Sequence, residues 1–391
     1  MTRKKIILVA GGTGGHIFPA ISLAGKLEKM SHEILIITDF RGKKFEIEKD
    51  GWSVKYINIE NPNQNKLFGK IKAGLSLIRS TVESWKIISN FGADVVVGFG
   101  GYPSLPPVIV ANWMRVPSIL HEQNAVLGRA NRWLSRRATF IAKSFKNTSG
   151  LDEERTPSCM TGNPVRNEII ASRDIIAPRL IEKGKVNLLI IGGSLGANFL
   201  SNIVPAAVGL LDKQLRDRLI IKQQCRREDI QNVNVAYKKV GVEVELKTFF
   251  SHISELLKKT HLVISRSGAS TVAELAVVGR PAIFIPYPSA IDNHQQKNTT
   301  DLVEAGGAWC CEEKNLTPKV LANVISKVIT DPGVYNKAVM ASRNCGVPDA
   351  VERLAELVLR VASESSRIRP ASKIILANIL TLFLSFEMGG G

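Results

Sequence analysis

Residues 5–27, KIILVAGGTGGHIFPAISLAGKL, decide how this chain reads. Residues 6–10 (IILVA) form an uninterrupted apolar run, as expected of a parallel strand buried on both faces of its sheet. Glycines end the run, and the spacing after them predicts a helix from about Phe18 to Met30, with Pro19 tolerated in its first turn. Glu33–Thr38 (EILIIT) reads as the next strand, and residues 54–59, 94–98, 118–121 and 138–142 as further ones. Residues 71–89 have amphipathic helical spacing. Strands alternating with helices of this length predict an open parallel sheet covered on both faces.

The pattern restarts at Val186–Ile191 (VNLLII), again ended by glycines and again followed by a helix, from about Ala197 to Leu211. Strands are expected at 218–222, 242–246, Leu262–Ser265 and 282–285, and helices near 318–328, 333–343 and 348–362. The turn-rich stretch 161–166 marks the boundary. The expected division is a first domain over 1–163, a second over 164–362 whose terminal helices pack back on the first, and an atypical apolar extension over 363–391. The fold class is α/β, with two Rossmann-like parallel sheets whose C-terminal strand edges face a central cleft, where such sheets bind ligands.

Composition agrees with that class. The 391 residues are 45% hydrophobic and 22% charged, an ordinary globular balance with room for two or three domains. The net charge of +17 is spread over both halves and suits phosphorylated substrates or an anionic lipid surface. No basic module interleaved with aromatic residues is visible, so nucleic acid is not the expected partner. Five cysteines without a C-x-x-C pair point to a reduced compartment. The apolar run at the start is too short for a signal peptide core. Residues 374–386 are apolar almost all round, but as a helix would span only about 20 Å, short of a bilayer's hydrocarbon core.

The chemistry-bearing motifs fall at strand ends. Gly11-Gly12-Thr13-Gly14-Gly15-His16 lets a ligand approach the backbone and a helix start closely, and His16 at its mouth suits a proton acceptor near neutral pH. The dinucleotide fingerprint fails there, because Ile17 occupies its third glycine; Asp39 alone would speak for a nicotinamide cofactor. Gly98-Phe99-Gly100-Gly101-Tyr102-Pro103 and His121-Glu122-Gln123-Asn124 follow later strands of the same domain. In the second domain Gly192-Gly193-Ser194 and Ser265-Arg266-Ser267-Gly268-Ala269-Ser270-Thr271 offer hydroxyls and amides for a diphosphate. Glu274, one turn into the helix, reads either as an acceptor for ribose hydroxyls or as half of a capping box with Thr271. Asp292, Gln295 and Gln296 lie in a further strand-end loop. No Asp-x-Asp, H-E-x-x-H or clustered Cys/His set occurs, so neither a metal nor another cofactor is expected.

In order and spacing across residues 5–360, GGTGGH, GYPS, HEQN, TGNPVR, GGSLGA, SRSGASTVAE and DNHQQ resemble the MurG family, the membrane-associated N-acetylglucosaminyltransferases of peptidoglycan synthesis. The resemblance implies the two-domain GT-B architecture. It implies inverting transfer of N-acetylglucosamine from UDP-N-acetylglucosamine to the 4-hydroxyl of the undecaprenyl-diphosphate-linked muramoyl peptide, at the cytoplasmic face of the cell membrane, beside other cell-wall synthesis proteins. It implies acceptor-side roles for Thr13, Gly14, Gly15 and His16, and a donor-sugar contact for Asn124. Arg166 and Ser194 would line the nucleotide site, Phe250 would present its backbone to uracil, and Ala269, Ser270 and Thr271 would meet the diphosphate. Glu274 would take the ribose hydroxyls, and Gln295 and Gln296 those of the sugar. His16 is the expected base, with Glu122 as the alternative if burial raises its carboxyl. A sugar-nucleotide 2-epimerase on the same fold is the rival activity. Leu75, Leu77 and Ile78, with Lys70, Lys72, Arg79 and Lys86, are the expected membrane-docking residues, and 374–386 a second candidate.

Overall fold

The structure, a computed structural model, describes residues 2–59, 67–192 and 198–364. The chain divides into two compact units. One takes the residues up to Pro164 together with those from Asp349 onward, and the other takes Val165–Pro348. The final helix, Ala350–Glu364, thus belongs to the first unit, although sequence order placed it with the second domain.

The first unit is built on seven strands: β1 (Lys5–Ala10), β2 (Glu33–Thr38), β3 (Ser53–Tyr56), β4 (Val95–Gly98), β5 (Ser118–Glu122), β6 (Phe140–Lys143) and β7 (Ser158–Met160). They pair in the order β3-β2-β1-β4-β5-β6-β7, every pair parallel. Alternation explains why β1 is apolar throughout. Ile6, Leu8 and Ala10 pack with helix α1 (Gly14–Lys29), through Ile17, Leu23 and Leu27, and with the final helix, through Leu354, Val358 and Val361. Ile7 and Val9 face the opposite layer, with Ile88 of helix α2 (Leu67–Phe91) and with Val108 and Ile109 of the helix Leu105–Trp113. Both faces of the strand are dry.

The second unit carries β8 (Val186–Ile191), β9 (Leu219–Gln224), β10 (Val244–Lys247), β11 (Leu262–Ser265), β12 (Ala282–Phe284) and β13 (Ala308–Cys310). Their order is β10-β9-β8-β11-β12-β13, again all parallel. Val186, Leu188 and Ile190 pack with Leu200, Val204 and Ala207 of one helix and with Leu321, Ile325 and Val328 of another. In each sheet the order reverses beside the first strand, between β1 and β4 and between β8 and β11. Such a reversal parts two successive loops and opens a crevice at the C-terminal strand ends, the usual ligand position in open α/β sheets. Both glycine-rich turns of interest leave strands at these reversals.

Candidate functional site

In the first unit, α1 begins at Gly14, earlier than the start near Phe18 read from the sequence. Gly14, Gly15 and His16 therefore form its first turn, where backbone N–H groups have no intrahelical acceptor. Glycine's poor helix propensity hid this start. Thr13 precedes the helix in extended conformation, and its Oγ1 lies 3.0 Å from Nδ1 of His16. The imidazole rests on the loop that leaves β4. Gly100 and Gly101 have φ of +85° and +77°, and a β-carbon on either would lie 3.4 Å from a ring nitrogen of His16. Only glycine combines that backbone with so close an approach. The amide of Gly11 donates to the Gly100 carbonyl at 3.2 Å, joining the two loops. Burial, reinforced by the Arg41 guanidinium and opposed by Asp39, lowers the His16 pKa to about 4, so the ring is neutral at physiological pH. Asp39 itself caps the turn after β2 and holds Arg41 through Nε at 2.8 Å.

His121, Glu122 and Gln123 are all buried at the end of β5. Glu122 accepts four hydrogen bonds: Oε1 from the backbone and side-chain amides of Asn124 at 3.0 and 3.2 Å, Oε2 from Gly128 N at 2.9 Å and Asn131 Nδ2 at 2.8 Å. Burial raises its carboxyl above the ordinary range, and these donors oppose the rise. The carboxylate thereby ties residues 124–131 into one turn, with Asn124 half-buried beside it.

In the second unit, β11 ends at Ser265 and the helix Ala269–Val278 starts four residues later, with Gly268 as its N-cap and no side-chain cap. The hydroxyls of Ser265, Ser267 and Ser270 are buried without a hydrogen-bond partner, and the first-turn amides of Ala269, Ser270 and Thr271 lack intrahelical acceptors. The capping-box reading of Thr271 and Glu274 is not what forms. Glu274 instead receives Arg166 as a bidentate pair, Nε at 2.9 Å and Nη2 at 3.1 Å. Burial raises the Glu274 carboxyl while the guanidinium opposes the rise. Gln295 Oε1 accepts from the backbone amide of Tyr287 at 2.9 Å, and Gln296 donates to Glu312 at 2.8 Å. The Phe250 side chain is buried, while Phe249 beside it is exposed. Ser194 lies outside the described residues.

Two residues hold this loop in ways that sequence reasoning did not assign. Arg266 is buried, donates to the carbonyls of Ile285 and Pro286, and pairs with Glu313 at 2.6 Å. Asn298 donates to the Ser267 carbonyl at 3.1 Å. A lone arginine among small residues at a strand end was the available signal for the first; nothing local marked the second. Among the described residues, no group of three or more His, Cys, Asp or Glu is placed to hold a metal ion.

Comparison with known proteins gives a consistent result. The model of the glycosyltransferase family 28 N-terminal domain matches residues 6–143, and that of the family 28 C-terminal domain matches residues 187–356. A UDP-N-acetylglucosamine–N-acetylmuramyl-(pentapeptide) pyrophosphoryl-undecaprenol N-acetylglucosamine transferase of Zymomonas mobilis is 42% identical over 364 residues, 92% of each chain. The protein of that name from Rhodospirillum centenum is also 42% identical, over 93% of this chain and 96% of its own. Among solved structures, Acinetobacter baumannii MurG matches with a TM-score of 0.74 and 27% identity, over 91% of this chain and 99% of its own. A UDP-GlcNAc 2-epimerase from Neisseria meningitidis, at 16% identity and a TM-score of 0.64, shares the fold.

Proposed function

The chain belongs to glycosyltransferase family 28, among its UDP-N-acetylglucosamine–N-acetylmuramyl-(pentapeptide) pyrophosphoryl-undecaprenol N-acetylglucosamine transferases, and from that premise we propose how its residues carry the reaction. N-acetylglucosamine passes from UDP-N-acetylglucosamine to the 4-hydroxyl of the undecaprenyl-diphosphate-linked muramoyl peptide, with inversion. The hydroxyl oxygen attacks the anomeric carbon, its proton goes to His16, and the bond to the diphosphate breaks with UDP taking the electron pair. The observation that carries this reading is the neutral His16 ring, set on the Gly100–Gly101 floor at the sheet's reversal point. Donation from Nδ1 to Thr13 leaves the Nε2 lone pair to accept the proton. The acceptor's own diphosphate adds negative charge that favours the imidazolium and raises the basicity of the ring. Glu122, with both oxygens committed to the 124–131 turn, serves the loop and leaves the proton to His16.

On the donor side, the amides of Ala269, Ser270 and Thr271 and the unpartnered serine hydroxyls receive the diphosphate and the charge that develops as UDP leaves. Glu274, oriented by Arg166, takes the ribose hydroxyls. Gln295 and Gln296 take those of the sugar, and the backbone at Phe250 meets uracil. Neither a metal nor another cofactor has a part in this scheme. The deciding experiment supplies the protein with UDP-N-acetylglucosamine and the first lipid intermediate. Disaccharide lipid with an equivalent of UDP supports transfer. Conversion of the donor to its 2-epimer without acceptor consumption overturns it.

The enzyme docks on the cytoplasmic face of an anionic membrane, beside other cell-wall synthesis proteins. Support comes from the middle of α2, where buried hydroxyls and exposed apolar side chains sit between the buried Ala73 and Ile88. Ser80, Thr81 and Ser84 are buried and bond back to main-chain carbonyls, while Leu75, Val82 and Trp85 are exposed next to Arg79 and Lys86. Apolar side chains on the outside of a helix whose inner face carries hydroxyls suit insertion among lipid headgroups. The side chains of Lys70 and Lys72, and all of 374–386, lie outside the described residues; no helix among the described residues is long and apolar enough to cross a membrane. Leu75→Glu with Trp85→Glu should abolish flotation with anionic vesicles. Unchanged flotation would move the docking surface elsewhere.

A further inference from the structure

We propose that Gln123 is a positioning residue for His16, acting through His121 and the Phe99 carbonyl to hold the glycine floor on which the imidazole lies. Gln123 is 2% exposed and sits one strand away from that floor. Its Nε2 donates to the Phe99 carbonyl at 2.9 Å and lies 3.0 Å from Nδ1 of His121. The His121 carbonyl lies farther off, at 3.3 Å, so the two shorter contacts take the two carboxamide protons.

That arrangement fixes the protonation of His121. Because Nδ1 accepts from Gln123, the ring proton sits on Nε2, which lies 3.1 Å from the Gly162 carbonyl and donates to it. His121 is fully buried, and its pKa is lowered to about 4 by that burial, against the Gly162 carbonyl and with His16. The ring is therefore held neutral in one tautomer. It is a fixed acceptor that aims the Gln123 amide at Phe99.

What the amide holds is the start of the floor. Phe99 N donates to the Val9 carbonyl at 2.7 Å, which anchors the residue to β1. The next residue is Gly100, whose carbonyl receives the Gly11 amide at 3.2 Å and the Ser104 hydroxyl at 2.9 Å. Gly100 and Gly101 adopt left-handed backbone that glycine enters at no steric cost but also leaves easily. A floor of two such glycines needs outside restraint, and Gln123 on one side and Ser104 on the other supply it. Glu122 faces the 124–131 turn, and Asn131 links that turn to the same strand end, its Nδ2 donating to Glu122 Oε2 at 2.8 Å and to the His121 carbonyl at 3.2 Å.

The inference rests on His16 as the base, and the test separates the two claims. Full-length protein with isotope-labelled histidine gives the His16 resonances, assigned by their absence in His16→Ala. Gln123→Met keeps length and removes both donors. In it, the His16 ring resonances should shift, and its titration should move up from about 4 toward 6.5 as water reaches a loosened floor. The kcat for transfer should fall on the order of 10²-fold through misplacement, with the donor KM and the affinity for UDP unchanged. Gln123→Glu keeps the shape of the side chain and removes the amide donors at neutral pH, so it should shift the same resonances; it decides if Gln123→Met does not fold. Unmoved His16 resonances in a folded variant would overturn the positioning role whatever happens to turnover. If the resonances move as expected while His16→Ala still transfers sugar, positioning stands and the base assignment falls.

Discussion

At the strand-order reversal of the first unit, the chain turns through residues 11–13 and 99–101 with an imidazole laid between them; at the reversal of the second it turns through residues 266–268 beneath three unpartnered serine hydroxyls. The topology is the same and both turns lead into a helix start. In the first, glycines bring main chain against His16, burial keeps the ring neutral, and the nearest carboxylate network is spent on shaping a turn. In the second, the hydroxyls and helix amides are left without acceptors, and the charged residues nearby are fixed by partners: Arg266 on Glu313 and Arg166 on Glu274. On the proposed reading, one reversal point takes up a proton and the other takes up negative charge. Parallel-sheet topology places the sites, and side chains within a few residues of the strand ends divide the labour.

The division breaks hardest if the first turn is emptied of its imidazole. His16→Ala should lower transfer by ~10²–10⁴-fold, the usual range for a lost general base, while affinity for UDP-N-acetylglucosamine by calorimetry stays at the unsubstituted value. Near-normal turnover would return the base role to Glu122 despite its four donors. A loss of donor affinity would mean that the two turns do not divide the labour as drawn.

Glu274→Ala probes the other side. If Glu274 takes the ribose hydroxyls as proposed, removing the carboxylate costs a charge-assisted hydrogen bond, ~1.5–3 kcal/mol or about 10–100-fold in UDP affinity, and it leaves the Arg166 guanidinium without its bidentate partner. The melting temperature should fall with the affinity. Lower stability with unchanged UDP affinity per folded molecule would confine Glu274 to holding Arg166 and leave ribose recognition to other groups.

Acid should separate the units by stability. In the first, His16, His32 and His121 all have pKa values lowered chiefly by burial, the first and third to about 4; in the second, burial lowers that of His261. A histidine whose folded pKa lies below its unfolded value of about 6.5 costs the fold nothing above that pH. As pH falls from there toward 4, the unfolded chain binds the extra proton and stability drops, by ~1.4 kcal/mol per pH unit for each such proton. Hydrogen exchange at pH 7.5 and pH 5 should show protection lost first in the first unit's sheet, and His16→Asn should flatten that loss. Protection falling first in the second unit would contradict the contrast in burial.

Much of this architecture was legible because apolar runs between glycines are strong signals. Residues 6–10 and Val186–Ile191 lie within or coincide with strands as read, because both sheet faces are buried and apolar residues dominate the runs, Asn187 being the one polar residue in the second. The short edge strands β7 and β13 were missed: SCM and AWC are three residues each, too short to show any period. The start of α1 was hidden by glycines that serve the site at the expense of helix propensity. The loops carrying the site could be read from composition, but their wiring could not. Nothing in local sequence says that Glu274 pairs with Arg166, 108 positions away, or that Gln123 reaches Phe99, because such partners are set by which strands become neighbours. The exposed apolar stretch in the middle of α2 is half legible in sequence: Leu75 reads as a docking residue, whereas the exposure of Val82 and Trp85 depends on Ser80, Thr81 and Ser84 facing inward.

The smallest expected effect concerns divalent cations, and it tests whether the second turn is sufficient as built. The leaving diphosphate needs positive potential in the place where charge develops. The helix Ala269–Val278 offers a macrodipole equivalent to about half a unit charge at its N-terminus, together with first-turn amides aimed outward. Three nearby hydroxyls can donate as well, and Gly268 at the cap leaves the approach open, since a β-carbon there would meet nothing within 4 Å. A site made this way holds its donors in place before the substrate arrives and does not depend on an ion that can be stripped away. Transfer measured with EDTA should therefore match transfer measured with magnesium to within experimental scatter, and UDP affinity should be equally indifferent. Loss of transfer restored only by a divalent ion would show that the amides and hydroxyls of the second turn are not enough, and would place a metal beside the helix start and the serines.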